Sequence, residues 1–152
     1  MAGVSSNPPR DERPAPLLRL LALTTQQLAG MLHERLRAAG FDDQRPADNA
    51  AFAHIPPEGI RLTDLARRAG VSKQAMAELV DSLEARGYVE RQPDPTDGRA
   101  KLVVFSEHGW TAVATALDAL DDIEQELSER LGTRSIAALR RTLTRVLDQP
   151  GT

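Results

Sequence analysis

Between Leu17 and Ala39 the apolar residues Leu17, Leu20, Leu21, Leu28, Met31, Leu32 and Leu36 fall at spacings that place them on one stripe of a helix. Gly40 stands where that helix should stop. After the polar "FDDQ", a shorter helix is predicted from Pro46 to about His54, with proline tolerated in its first turn and "IPPEG" ending it. "IRL" is long enough for a one-bridge strand at most, and Thr63 can then cap a short helix, "TDLARRAG", closed by Gly70. Ser72 opens the next helix, "SKQAMAELVDSLEARG", with Met76, Leu79, Val80 and Leu83 on one face and Gly87 as its stop. Two helices joined by a tight glycine turn make a helix-turn-helix.

The period then changes. "YVERQ" and "KLVVF", rich in β-branched and aromatic residues, flank "PDPTDG" and predict a hairpin with a loop too long for a two-residue turn. Helical spacing returns from Ser106 to Leu131, where Trp110, Val113, Leu117, Leu120, Ile123, Leu127 and Leu131 keep a near-heptad rhythm up to Gly132. A last helix, Ser135 to Gln149, repeats the stripe with Ile136, Leu139, Leu143, Val146 and Leu147. The expected fold class is therefore mainly α with a small β-hairpin wing: a winged helix-turn-helix over residues 60–105 between helical segments 16–56 and 106–149.

Composition narrows the picture. A chain of 152 residues, 41% hydrophobic and 27% charged, suits one domain, and 3% aromatic content favours helices packed through aliphatic faces. "MAGVSSNPPRDERPAP" has no signal-peptide core and no membrane-spanning length, so residues 1–15 are expected to be a disordered tail ahead of a single domain at 16–152. The absence of cysteine excludes disulfides and thiolate metal sites and fits a reducing cytoplasm. His33, His54 and His108 are too far apart for a structural zinc site, and neither a metal nor a cofactor is expected. No phosphate-binding glycine loop, nucleophile elbow or metalloprotease helix occurs, which argues against an enzyme. The net charge of −3 argues against indiscriminate nucleic-acid binding, yet Ile60 to Phe105 carries eight Lys and Arg against seven Asp and Glu, leaving −4 elsewhere. The last two helices differ in sign, acidic from Asp118 to Glu129 and basic from Arg134 to Arg145. Their short connection predicts antiparallel packing, and the charges read either as two solvated faces or as complementary surfaces that help register these helices within or between subunits.

The stretch "LTDLARRAGVSKQAMAELVDSLEARGYVERQPDPTDGRAKLVVFSEHG" resembles the MarR family of bacterial transcription regulators, dimeric winged-helix proteins. It shows that family's Leu-Ala helix, its Gly-Val-Ser turn, a Leu-Glu-x-x-Gly-Tyr-Val-x-Arg passage, an Asp-Pro-x-Asp-x-Arg wing and a closing glycine; the order of elements matches from Leu17 to Leu147. The resemblance implies a ligand-responsive repressor that binds double-stranded DNA, at a pseudo-palindromic operator, as a homodimer held by the helices of 16–56 and 106–149.

In the family's manner Arg99 would enter a minor groove, Asp97 would orient its guanidinium through a bidentate pair, and Lys101 would lie near a phosphate. Ser72, Lys73 and Gln74 would extend toward the DNA from the second helix, where Gln74 can pair with adenine and Lys73 with guanine or a phosphate. Arg67 and Arg68 would contact phosphates. Ala77 and Glu78 depart from the threonine and arginine of many relatives, which implies modest affinity or a different contact set. Plainer readings stand beside these: "DPTDG" as a simple turn, Ser72 as an N-cap alone, Arg67 and Arg68 on a solvated face.

Family members commonly hold a small phenolic or anionic ligand between the dimerisation helices and the winged helix, and the candidates for that cleft are His33, Phe52 and His54. Without cysteine, the thiol-based peroxide sensing of part of the family is excluded. The competing reading is a winged-helix protein-assembly module without specific DNA binding, which would respond little to salt.

Overall fold

Residues 14–148 are described by the computed structural model, so most of the expected tail over residues 1–15 and the expected helix end at Gln149 lie outside the described residues. Helix α1 spans Leu17–Ala38, and Gly40 takes the positive φ of +97° just beyond it. A 3-10 turn at Pro46–Asp48 leads into a one-turn α2, Asn49–Phe52. The single Pro46–His54 helix expected is thus divided, its first turn being 3-10, its middle one α turn, and Ala53–His54 a turn in which Ala53 still has helical φ and ψ.

Strand β1, Ile60–Arg61, runs without a break into α3, Leu62–Ala69. The N-cap is therefore Arg61 rather than Thr63, and no side chain caps this helix. Gly70 ends it in the left-handed region (φ +68°), a conformation costly for any residue with a Cβ. Ser72 Oγ then accepts from the Ala75 amide at 3.1 Å and opens α4, Lys73–Ala85, as its sequence predicts.

Strands β2 (Val89–Asp94) and β3 (Asp97–Phe105) form the wing, and β1 adds to the far edge of β3 in an antiparallel sheet of order β1-β3-β2. Pairing runs in register from Val89↔Phe105 to Pro93↔Lys101 and then jumps to Asp94↔Asp97. The hairpin thus closes through a two-residue turn, Pro95–Thr96, contrary to the longer loop expected, because a bulge at Gly98–Ala100 absorbs the extra residues.

Helix α5, Glu107–Leu131, is capped by Ser106, whose Oγ accepts from the Gly109 amide at 3.0 Å. A Cβ built on Gly109 would lie 2.0 Å from the Tyr88 carbonyl oxygen, so only glycine lets α5 start so close to β2. After Gly132, α6 (Thr133–Leu147) returns along α5, two residues earlier than predicted, and Arg140 pairs with Glu124.

The core gathers Leu36, Leu65, Met76, Val80, Leu83, Val89 and Val103 around Tyr88. All five aromatic residues of the chain join one seam: Phe41 and Phe52 lie 6.4 and 5.7 Å from Tyr88 between ring centroids, Phe52 lies 5.2 Å from Phe105, and Phe105 lies 5.0 Å from Trp110. Beside it, Asp48 accepts two 2.8 Å bonds from the Arg86 guanidinium, and Tyr88 Oη donates to Asp43. Burial and that hydrogen bond raise the Tyr88 phenol well above its ordinary range. The helical stripes are only partly covered: α5 buries Ala112, Ala119 and Ile123 but leaves Leu117 and Leu120 exposed, and α6 buries none of its residues.

Candidate nucleic-acid interface

The first turn of α4 contains no acidic residue, so the positive end of its dipole is uncompensated there. Ser72, Lys73 and Gln74 are all exposed on that turn. Gln74 Nε2 lies 3.4 Å from Glu78 Oε1, a long contact one turn further on, so the glutamine amide is lightly tethered. On α3, Arg68 is exposed and Arg67 is engaged by Asp64 one turn earlier.

The wing presents its charges in order. Arg99 sits exposed in the bulge, and among the described residues its guanidinium has no acidic partner. The expected bidentate pair between Asp97 and the Arg99 guanidinium is not formed. Asp97 Oδ1 accepts instead from the Arg99 backbone amide at 3.1 Å, and Oδ2 lies 3.6 Å from an Arg61 nitrogen. Two residues apart on a bulged strand, the carboxylate meets the main chain before it can meet the side chain.

Asp94, nearly enclosed, forms the turn's anchor. Its Oδ1 accepts from the Thr96 hydroxyl at 2.7 Å and the Thr96 amide at 2.8 Å, while Oδ2 accepts from Arg61 Nε at 2.8 Å and lies 2.6 Å from Nη2 in the same ion pair. Those Thr96 bonds, followed by that from Arg61, hold the Asp94 carboxyl down at about 2.

Between α4 and the wing lies a cleft of about 380 Å³ lined by Arg61, Leu62, Thr63, Lys73, Arg91, Ala100, Lys101 and Val103. It brings Lys73 and Lys101, two predicted contacts, to one depression beside the bulge that carries Arg99. Arg91 is tied to Asp81 at 2.5 Å and to Glu84, which binds β2 to α4 and cancels its charge. At the level of sequence, Arg91 and Asp94 stand only as members of the family's motifs, with no role for either, and Arg61 is not singled out. The Asp-Pro-Thr order is a turn signal that could have found Asp94, whereas nothing in the local sequence marks Arg61.

The ligand candidates are not gathered in this way. His33, on α1, has Nδ1 2.7 Å from the Ala29 carbonyl, and its enclosed Nε2 has no partner among the described residues. Phe52 is held inside the aromatic seam, and His54 lies half-buried beyond α2. None of the three lines the wing cleft. A second, apolar groove of about 540 Å³ runs between α1, α5 and α6, lined chiefly by Leu28, Leu117, Leu120, Ile123, Leu127, Ile136, Leu139, Leu143 and Leu147.

A model of the MarR family matches residues 50–100, the span from α2 through the wing. The multiple antibiotic resistance protein MarR of Escherichia coli K12 is 30% identical over 135 residues, covering 87% of this chain and 91% of that protein. The transcriptional regulator HosA of Escherichia coli O111:H- is 33% identical over 73 residues, 48% of this chain and 54% of HosA, so that match spans about half of the relative's length. Among solved structures, a mutant MarR from E. coli complexed with operator DNA superposes with a TM-score of 0.69 at 28% identity, covering 87% of this chain and 94% of that one.

Proposed function

The chain belongs to the MarR family, and from that premise we propose that it is a bacterial, cytoplasmic, ligand-responsive repressor that binds a pseudo-palindromic operator in double-stranded DNA as a homodimer. The observation that carries this reading is the shared basic cleft. The exposed start of α4 and the bulged wing stand on either side of Lys73 and Lys101, so a helix and a hairpin tip can engage adjacent grooves of one duplex. Gln74 offers an adenine-reading amide, Arg99 a planar cation for a narrow minor groove, and Lys73, Lys101 and Arg68 phosphate contacts. Asp97 acts by ordering the backbone at Arg99 rather than by gripping its side chain. Arg67 must leave Asp64 or share it to reach a phosphate.

One winged helix covers only a half-site, and two-fold partners read half-sites about one helical turn apart. The apolar groove along α1, α5 and α6 supports pairing of two copies, since Leu117, Leu120, Leu139 and Leu147 of its lining stay exposed in a single chain. The effector is a small phenolic or anionic molecule, and the unpartnered Nε2 of His33 favours that residue over Phe52 or His54 as its contact. An effector that prefers a conformation with the two reading heads wrongly spaced weakens DNA binding by linkage, typically by about 1–3 kcal/mol.

The test is titration of the purified chain against the DNA upstream of its own gene over a range of salt, with an unrelated duplex as control. Preferential binding whose logarithm falls linearly with log salt, by about 0.9 per phosphate neutralised, is the expected result. Equal binding to both duplexes, or a flat salt response, overturns the reading in favour of a protein-assembly module.

A further inference from the structure

Arg61 is the residue whose position the DNA-reading elements leave unexplained. It ends β1 and caps α3, so its backbone belongs to the helix-turn-helix. Its side chain belongs to the wing. In a sheet of order β1-β3-β2, the guanidinium crosses over β3 to reach Asp94 at the end of β2, and places Nε and Nη2 at 2.8 and 2.6 Å from the same carboxylate oxygen.

That choice of oxygen matters. With Oδ2 occupied by Arg61, Oδ1 is left to receive both the amide and the hydroxyl of Thr96, which fixes the Pro95–Thr96 turn. The same guanidinium faces Asp97 Oδ2 at 3.6 Å, while Asp97 Oδ1 holds the Arg99 amide. A single cation thus touches both carboxylates that organise the wing tip, one fixing the turn and the other the bulge that presents Arg99.

We propose that Arg61 is a positioning residue for DNA reading: it locks the wing tip to the start of α3 and so sets the orientation at which Arg99 meets the minor groove. This rests on the DNA-binding reading above and names a residue that determines how that reading is achieved. A free hairpin would lose conformational freedom on binding; a clasped one has lost it beforehand, and the gain appears as tighter binding and sharper selection of narrow, A·T-rich grooves. The held, ionised Asp94 carboxyl is consistent with a permanent clasp.

The requirement is for an arginine fork. An ammonium is a point donor and cannot direct two nitrogens at one oxygen while facing a second carboxylate. Arg61→Lys should therefore fail to rescue what Arg61→Ala loses.

The experiment is a double-mutant cycle on operator binding with Arg61→Ala, Arg99→Ala and both together, joined by Arg61→Lys and Asp94→Asn. Asp94→Asn keeps the acceptor for Thr96 and removes the charge that holds Arg61, so it breaks the clasp from the other side if Arg61→Ala folds poorly. Arg61→Ala and Asp94→Asn are each expected to weaken operator binding about tenfold in the wild-type background, the scale of one oriented contact, and Arg61→Ala to have little effect once Arg99 is alanine. Amide exchange at Thr96 and Arg99 should accelerate in Arg61→Ala, with the unfolding midpoint near that of wild type. Equal losses with and without Arg99, or full rescue by Arg61→Lys, would overturn the proposal while leaving the DNA-binding function intact. A wild-type chain that binds no duplex overturns that function, and this proposal with it, whatever the exchange rates show.

Discussion

The Arg86 guanidinium and the Asp48 carboxylate meet fork to fork, each carboxylate oxygen 2.8 Å from its own nitrogen, with Asp48 almost wholly enclosed. The pair joins the end of α4 to the segment ahead of α2, and Arg86 also donates to the Asp43 carbonyl at 2.8 Å. Removing one partner strands a desolvated charge. Asp48→Ala is expected to destabilise the fold by about 3–5 kcal/mol, measurable as a lower urea midpoint at unchanged slope. A replacement of both partners, Arg86→Met with Asp48→Leu, should recover most of that loss. Equal instability of the single and double variants would mean that packing rather than ion pairing governs this corner.

Arg99 is exposed in the bulge and Gln74 is exposed at the start of α4, so neither substitution should disturb packing. Arg99→Ala is expected to weaken operator binding most where the flanks are A·T-rich, and Gln74→Ala to change base preference with a smaller effect on affinity. Competition binding with flank-shuffled duplexes checks both. Two variants indistinguishable from wild type would refute this assignment of the reading surface without touching the fold.

Asp94 has a folded pKa of about 2, below the ~3.9 of an unfolded aspartate. Folding therefore favours its ionised form. The stabilisation is fully present above about pH 4 and is lost as pH falls through about 2. The stability gap between wild type and Asp94→Asn should hold steady above pH 4 and narrow below it in acid-unfolding curves. A gap that keeps its size throughout would show that the wing anchor owes nothing to the carboxylate's charge.

Leu139 is half exposed on α6 and lines the apolar groove with Leu120 and Leu143. Leu139→Asp places a charge in the surface assigned to pairing and is expected to shift the chain from dimer to monomer in sedimentation equilibrium. Operator affinity should fall in parallel, since two half-sites would then be bound independently. A dimer that survives the substitution would relocate the interface.

Periodicity found α1, α4, α5 and α6 because each is amphipathic over more than two turns, whereas the one-turn α2 and the two-residue β1 are too short to carry a period of their own. The cap signal at Ser72 is borne out by its bond from the Ala75 amide, and the closing glycine of the family resemblance, Gly109, is the one that the Tyr88 carbonyl requires. Periodicity missed the two-residue wing turn, because a bulge hides surplus residues within a strand instead of lengthening the loop. It also missed Arg61 and the Arg86–Asp48 pair. Their partners lie 33 and 38 positions away, and a contact over that separation leaves no local pattern. Thr63 failed as a cap for a related reason: β1 delivers the chain to α3 already in register, with no loop residue in which a cap could sit.

The aromatic seam has an optical consequence. Its outer end is Trp110, the single tryptophan, partly exposed and 5.0 Å from Phe105 where β3 passes into α5. Ultraviolet excitation at the red edge of protein absorption therefore lights up one indole, at the joint between the wing and the long helix. A tilt of one against the other changes how much water that indole meets, and its emission colour follows. The protein carries its own unlabelled gauge of that angle, ready for stopped-flow mixing with DNA or with any small molecule offered as an inducer.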